Sequence, residues 1–215
     1  MTKDNLQNKV KIIIAILERE YPDPKTALVF QNPLELLIST VLSAQCTDIR
    51  VNEVTKDLFQ KYHSAKDYAQ VNLSELESDI KPTGFYRNKA KSIKAFCNIL
   101  VDKYHGDVPS NLDDMLSLPG IGRKTANVVL AEAYNIPAII VDTHVLRLSN
   151  RIGLTDKKDA TKVEFDLMEI IPKEQWRLFS NLLICHGRAF CTARKPRHNE
   201  CKIIDFCEEG IRSND

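Results

Sequence analysis

The chain has 215 residues, enough for one large domain or two small ones with cores of their own. Thirty Lys and Arg against 29 Asp and Glu leave a formal charge of +1, which excludes broad, nonspecific attraction to polyanions and confines any nucleic-acid surface to a local patch. The stretch from Met1 to Lys9 lacks the apolar core of a signal peptide, and no later apolar run reaches membrane-spanning length, so a soluble intracellular protein is expected.

Apolar residues recur with the helical period along the chain. Val10, Ile13, Ile14 and Leu17 form one stripe; Leu36, Leu37, Thr40 and Val41 lead into a second helix after Pro33; Val51, Val54, Leu58 and Phe59 mark a third. Further helices are expected over Ser74–Ile80, Arg87–Tyr104, Asn111–Ser117, Arg123–Tyr134, Thr143–Ile152, Asp159–Ile171 and Lys173–His186. One β-like run, Ala138–Val141, is short and lies between Pro137 and Asp142. The pattern predicts an all-α fold, with domain crossings near Pro22–Pro24 and Asn135–Pro137.

The most informative stretch runs from Leu116 to Val129. Pro119 ends the incoming helix, Gly120-Ile121-Gly122 makes a sharp turn, and a new helix begins at Arg123 with Lys124 in its first turn. The glycines carry no side chain to fend off a ligand, so the backbone N–H groups of Gly120 and Gly122 can lie against a phosphate oxygen. The helix that follows adds the positive end of its dipole and its unpaired first-turn donors. No strand precedes the glycines and the P-loop spacing is missing, which argues against a nucleotide site. A plain tight corner between two helices is the other reading.

Downstream, Asp142 precedes Thr143 at a predicted helix start, where backbone donors would hold its carboxylate ionised in one geometry. Three of the six cysteines, Cys191, Cys201 and Cys207, crowd the last stretch; in an intracellular chain that is a metal site sooner than a disulfide framework. Arg194, Lys195 and Arg197 lie inside the cluster, a basic loop suited to phosphate.

The hairpin, an aspartate eighteen residues after its lysine, and the cysteine-rich tail together closely resemble the endonuclease III family of base-excision DNA glycosylases, the helix-hairpin-helix superfamily. The resemblance covers nearly the whole chain. It extends to Ser43-Ala44-Gln45-Cys46-Thr47-Asp48 and Thr83-Gly84-Phe85-Tyr86-Arg87-Asn88-Lys89-Ala90, which fit the family's two DNA-penetrating loops, and to His186-Gly187-Arg188 before the cysteines. It implies two helical domains: a six-helix barrel over residues 26–136 carrying the hairpin, and a second domain from residues 1–25 and 137–215 carrying a metal-cluster loop, with a DNA-binding cleft between them.

The implied activity is a bifunctional glycosylase and abasic-site lyase that removes oxidised pyrimidines from duplex DNA. Lys124 would attack the sugar and form a Schiff base, with Asp142 assisting the attack and the proton transfers. Partial burial, the dipole of its own helix and nearby Arg123 are expected to lower the pKa of Lys124. Gln45 would fill the space of the extruded nucleotide and Phe85 would wedge the opposite strand, bulkier than the leucine common there. Gly120, Gly122, Arg123, Arg194, Lys195 and Arg197 complete the expected DNA contacts. Relatives that excise adenine carry a catalytic Glu where this chain has Thr40, and lack the hairpin lysine. A mismatch-specific thymine or uracil glycosylase, and a silent DNA-binding or redox-sensing protein, are the alternatives.

The tail departs from the family's C-x6-C-x2-C-x5-C spacing, since His198 stands second: Cys191-x6-His198-x2-Cys201-x5-Cys207. A four-iron cluster with three cysteines and one histidine is the leading expectation. The same set suits a tetrahedral zinc, and a three-cysteine cluster or no metal are further readings. The expected partner is double-stranded DNA with damaged bases or abasic sites, met by a cytoplasmic, nucleoid-associated monomer with no membrane attachment.

Overall fold

The structure is a computed structural model that describes residues 2–212; Met1 and residues 213–215 lie outside the described part. Among the described residues it is all-helical, with no strand. The chain divides into two compact units, one made of Met1–Lys25 with Pro137–Asp215 and the other of Thr26–Ile136.

The Thr26–Ile136 unit contains α2 (Pro33–Leu42), α3 (Asp48–Lys61), α4 (Ala65–Gln70), α5 (Leu73–Asp79), α6 (Tyr86–Tyr104), α7 (Leu112–Ser117) and α8 (Arg123–Ala133), with α1 (Lys3–Glu20) preceding it in the other unit. Pro33 sits at the first turn of α2, and the Asn32 side chain caps it by accepting from the Glu35 amide at 3.0 Å. Every residue from Leu36 to Leu42 is buried, as suits a helix that packs against α3, α6 and α8 at once. The short α4 escapes the sequence pattern, because six residues carry too little periodicity; its start is fixed by a reciprocal capping box of Ser64 and Asp67. Lys94 of α6 closes its other end, donating to the carbonyls of Ala69 and Val71.

The other unit holds α1, then α9 (Thr143–Ile152), α10 (Ala160–Ile170), α11 (Trp176–Ala189) and α12 (Glu208–Arg212). The stripe expected on α1 is buried in full, Val10, Ile13, Ile14 and Leu17 packing with Leu148, Val163, Leu167, Phe179 and Leu183 in one core. The β-like run 138–141 is buried but pairs with no strand among the described residues. Its Ile140 amide donates instead to the Ser180 hydroxyl of α11 at 2.9 Å, a side chain standing in for a ladder partner.

Phe179 is fully buried in this core, whereas Phe85 is 63% exposed. In urea denaturation, Phe179→Ala should lower the unfolding free energy by about 3–5 kcal/mol, while Phe85→Ala should stay within roughly 0.5 kcal/mol of the parent.

Candidate functional site

Pro119 follows Leu118, which ends α7 in extended geometry, and the turn is made at Gly120 with φ +77°. A Cβ at Gly120 would lie 2.7 Å from the Ser92 hydroxyl oxygen and 2.9 Å from its Cβ, so both the backbone angle and the neighbour on α6 demand glycine. Gly122 differs. Its φ of −93° is ordinary extended backbone, and a Cβ there would meet nothing within 4 Å. Neither conformation nor internal packing requires glycine at 122. Ile121 between them is buried and donates its amide to the Leu118 carbonyl at 3.2 Å, pinning the corner to the core.

Gly122 is the N-cap of α8 and supplies no side-chain cap, so Arg123 and Lys124 fall in the first turn of a helix whose positive end lies toward the glycine corner. Lys124 is exposed. The partial burial expected from sequence is therefore absent in the protein alone, because the residues of α8 that pack inward begin at Ala126.

Gln45 and Phe85 are both exposed at loop tips, and both adopt left-handed backbone, φ 53° and 48°. Side-chain-bearing residues rarely sit there, and such strain concentrates at functional positions. Gln45, Phe85, Gly120, Thr125, Lys89 and Thr40 line one open cavity of about 280 Å³. The structure thus brings the hairpin and both loops together within a single unit. Thr40 turns its hydroxyl back onto the Leu36 carbonyl at 2.7 Å, so no acid stands on that wall.

Asp142 is the N-cap of α9: Oδ1 accepts from the amides of His144 and Val145, both at 2.8 Å. The side chain is half-buried and held in one orientation, as the sequence position predicted. Farther along the same helix, Arg147 donates to the Cys191 carbonyl at 2.8 and 3.2 Å and to the Gly187 carbonyl at 3.2 Å, and meets His144 Nδ1 at 3.1 Å. Arg151, one turn on, donates to Cys191 Sγ at 3.3 Å and to the carbonyls of Thr192 and Ala193. Its Nε pairs with Glu209 at 2.9 Å. Sequence reasoning missed both arginines; their i, i+4 spacing behind the Asp142 cap was the available signal.

Cys191, His198, Cys201 and Cys207 line a single small cavity of about 20 Å³, walled by Leu148, Ile152, Ile203 and Ile204. Burial pushes the Cys201 and Cys207 thiols above the ordinary cysteine range. A positively charged group that binds thiolate would relieve that penalty, and Arg151 directs a donor at Cys191, so the cysteines suit a thiolate-ligated cluster in their chemistry, while among the described residues no three His, Cys, Asp or Glu side chains converge closely enough to hold a single metal ion. His186, buried on α11, reaches the same cavity with Nε2 3.4 Å from Cys201 Sγ, and burial lowers its pKa to about 4. Arg194 and Lys195 are exposed on the loop. Arg197 turns back instead, bonding the Ala189 carbonyl, pairing with Glu200 at 3.2 Å and stacking 4.6 Å from the Phe190 ring centroid.

Residues 38–173 match the family described as HhH-GPD superfamily base excision DNA repair protein, and residues 191–207 match the iron-sulfur binding domain of endonuclease III. The chain is 50% identical over 202 residues to endonuclease III of Synechocystis sp., covering 94% of this chain and 92% of that one. To endonuclease III of Bacillus subtilis it is 49% identical, covering 88% and 87%. The structure of a trapped endonuclease III–DNA covalent intermediate aligns over the full length of both chains with a TM-score of 0.92 and 46% identity. A thermostable thymine-DNA glycosylase, 23% identical over 95% of this chain and 98% of its own with a TM-score of 0.85, shares the fold.

The two glycines should respond differently to a methyl group. Gly120→Ala should lower stability by about 1–3 kcal/mol through left-handed strain, and Gly122→Ala should stay within about 1 kcal/mol, both read by urea denaturation.

Proposed function

The chain belongs to the endonuclease III family of the HhH-GPD superfamily of base excision DNA repair proteins, and we propose that Lys124 and Asp142 carry its chemistry. It is a bifunctional DNA glycosylase and abasic-site lyase. The substrates we propose are oxidised pyrimidines in duplex DNA, met by a monomer at the nucleoid.

The observation that carries this reading is the uncapped start of α8 behind the glycine corner, with Lys124 in its first turn. A phosphate seated on the amides there would align the lysine with the adjacent sugar. Gly122 supports the same seat, since its bare backbone leaves the space before the α8 amides open to a ligand. Attack forms a bond from Nζ of Lys124 to the anomeric carbon while the bond to the base breaks; the base leaves with the electron pair and takes up a proton. The amine loses its proton, the sugar ring opens to a Schiff base, and removal of a proton from the neighbouring carbon expels the 3′ phosphate. An exposed lysine is largely protonated at neutral pH. The helix dipole and Arg123 disfavour that charge, and DNA covering the amine would add the desolvation that the protein alone does not supply. Asp142, held in one orientation by two amides, would stabilise positive charge developing on the sugar.

Gln45 and Phe85 would enter the duplex as the damaged nucleotide leaves it, which costs a few kcal/mol of stacking and pairing. Arg194 and Lys195 would bind phosphate from the metal loop, with Arg197 contributing charge while bracing the loop from within.

The tail is an iron-sulfur binding domain. We assign Cys191, His198, Cys201 and Cys207 as the residues that would hold a four-iron cluster, in keeping with the one cavity they line. Such a group would act as a structural tie that fixes the basic loop, and a neutral imidazole ligand would leave it less negative than four thiolates. Arg151 would steady Cys191 from outside.

Borohydride reduction on duplex DNA containing an oxidised pyrimidine should trap a covalent adduct that Lys124→Ala abolishes, and Asp142→Asn should slow its formation roughly 10²-fold or more. An adduct that survives loss of Lys124 would overturn the assignment. Anaerobically purified protein should absorb near 400 nm with about four irons per chain, and His198→Cys should keep the iron while lowering the reduction potential by on the order of 100 mV. Zinc in place of iron would overturn the cluster assignment, and an unmoved potential would remove His198 from the ligand set.

A further inference from the structure

Lys89 is a buried cation to which the chemistry above gives no role. It lies one turn into α6, only 5% exposed, and burial lowers its pKa from the ordinary lysine value. Its Nζ donates to the Leu42 carbonyl at 2.8 Å and to the Thr83 carbonyl at 2.9 Å. Leu42 is the last residue of α2, three before Gln45; Thr83 closes the 3-10 turn Lys81–Thr83, two before Phe85. One ammonium therefore joins the stems of two separate loops, and each stem leads to a side-chain-bearing residue held in left-handed backbone.

A lysine at this depth could let its head reach water if only its methylenes were needed for packing. The head is instead drawn in, where two carbonyls of different loops accept from it. Leu or Met would fill the volume without tying anything. An ammonium offers three donors on a compact centre, which suits two backbone acceptors converging from different directions. Left-handed conformations at Gln45 and Phe85 persist only while the surrounding structure over-determines them, and the Lys89 bonds link the two stems directly.

We infer that Lys89 is a positioning residue for nucleotide extrusion: by bonding the carbonyls of Leu42 and Thr83 it holds the two loop tips in register, so that Gln45 and Phe85 enter the duplex together. The inference rests on the reading of those two residues as the inserting pair. It separates the two reactions. Excising a base requires breaking its stacking, whereas a preformed abasic site has no base to unstack, so a loosened clamp burdens excision far more than strand cleavage.

The test uses the full-length protein with its cofactor, comparing Lys89→Met, Lys89→Arg and the parent. Three measurements are made: single-turnover excision of an oxidised pyrimidine, β-elimination at a preformed abasic site, and fluorescence of 2-aminopurine next to the lesion as a report of unstacking. Lys89→Met should slow excision by about 10²-fold and suppress the fluorescence rise, while elimination at the abasic site falls by no more than about threefold. Lys89→Arg, which keeps a cation with several donors, should recover most of the fluorescence rise. Equal losses in both reactions, or none in either, would overturn the inference. So would a Lys89→Met protein that does not fold together with a folded Lys89→Arg protein giving no fluorescence rise, and so would failure of both variants to fold, which would leave Lys89 a purely structural residue. If Gln45→Ala and Phe85→Ala leave excision and fluorescence unchanged, the reading of the loop tips fails on its own account; if they lower both while Lys89→Met does not, only the clamp fails.

Discussion

The absence of a side chain at Gly120 sets the geometry of the Thr26–Ile136 unit's functional face. The corner turns at φ +77°, and the Ser92 side chain occupies the space where a Cβ would stand. With the corner that tight, α8 leaves it at once, and Lys124 appears in the first turn with the glycine amides just behind it. The far side of α8 is locked against α2, and α2 in turn carries the loop that ends at Gln45. A small error at the corner would be passed along packed helices to the loop tip, because close-packed interiors shift as blocks and do not absorb displacement locally.

The Met1–Lys25 and Pro137–Asp215 unit solves a different problem on one helix. At its start, α9 fixes a carboxylate through two amides; Arg147 and Arg151, farther along, hold the segment that begins at Cys191. Ten residues of helix span about 15 Å, so the acid and the metal loop share one rigid rod. Gly187 lets α11 approach it closely, since a Cβ there would lie 2.8 Å from His144 Nδ1. The polar network around His144 is thus a packing device in which the histidine, two carbonyls and a guanidinium satisfy one another.

Much of the helical architecture was legible because its signals are local. The α1 stripe, Pro33 at the start of α2, the glycine corner and the Asp142 cap each depend on residues within one or two turns of one another. What stayed hidden depends on distant partners. The burial of Lys89 is settled by two carbonyls, one 47 residues away, and carbonyls leave no mark on a sequence. The inward turn of Arg197 depends on Ala189 and Phe190 being presented by the end of α11. The exposure of Lys124 could not be read either, since the inward register of α8 is set by its fit against α2. Residues 138–141 have a β-like composition, yet Ser180 claimed the Ile140 amide and no strand formed.

The composition of that second unit from two distant stretches of chain has a consequence for synthesis. As the polypeptide emerges, α1 presents Val10, Ile13, Ile14 and Leu17 with nothing to cover them, because Leu148, Leu167 and Phe179 arrive on the order of a hundred residues later. The intervening Thr26–Ile136 segment owns its core and is able to close meanwhile. Nascent chains therefore carry an unshielded apolar helix ahead of the Thr26–Ile136 segment until the Pro137–Asp215 stretch is made, and that interval is when association with chaperones or with other copies competes with native folding.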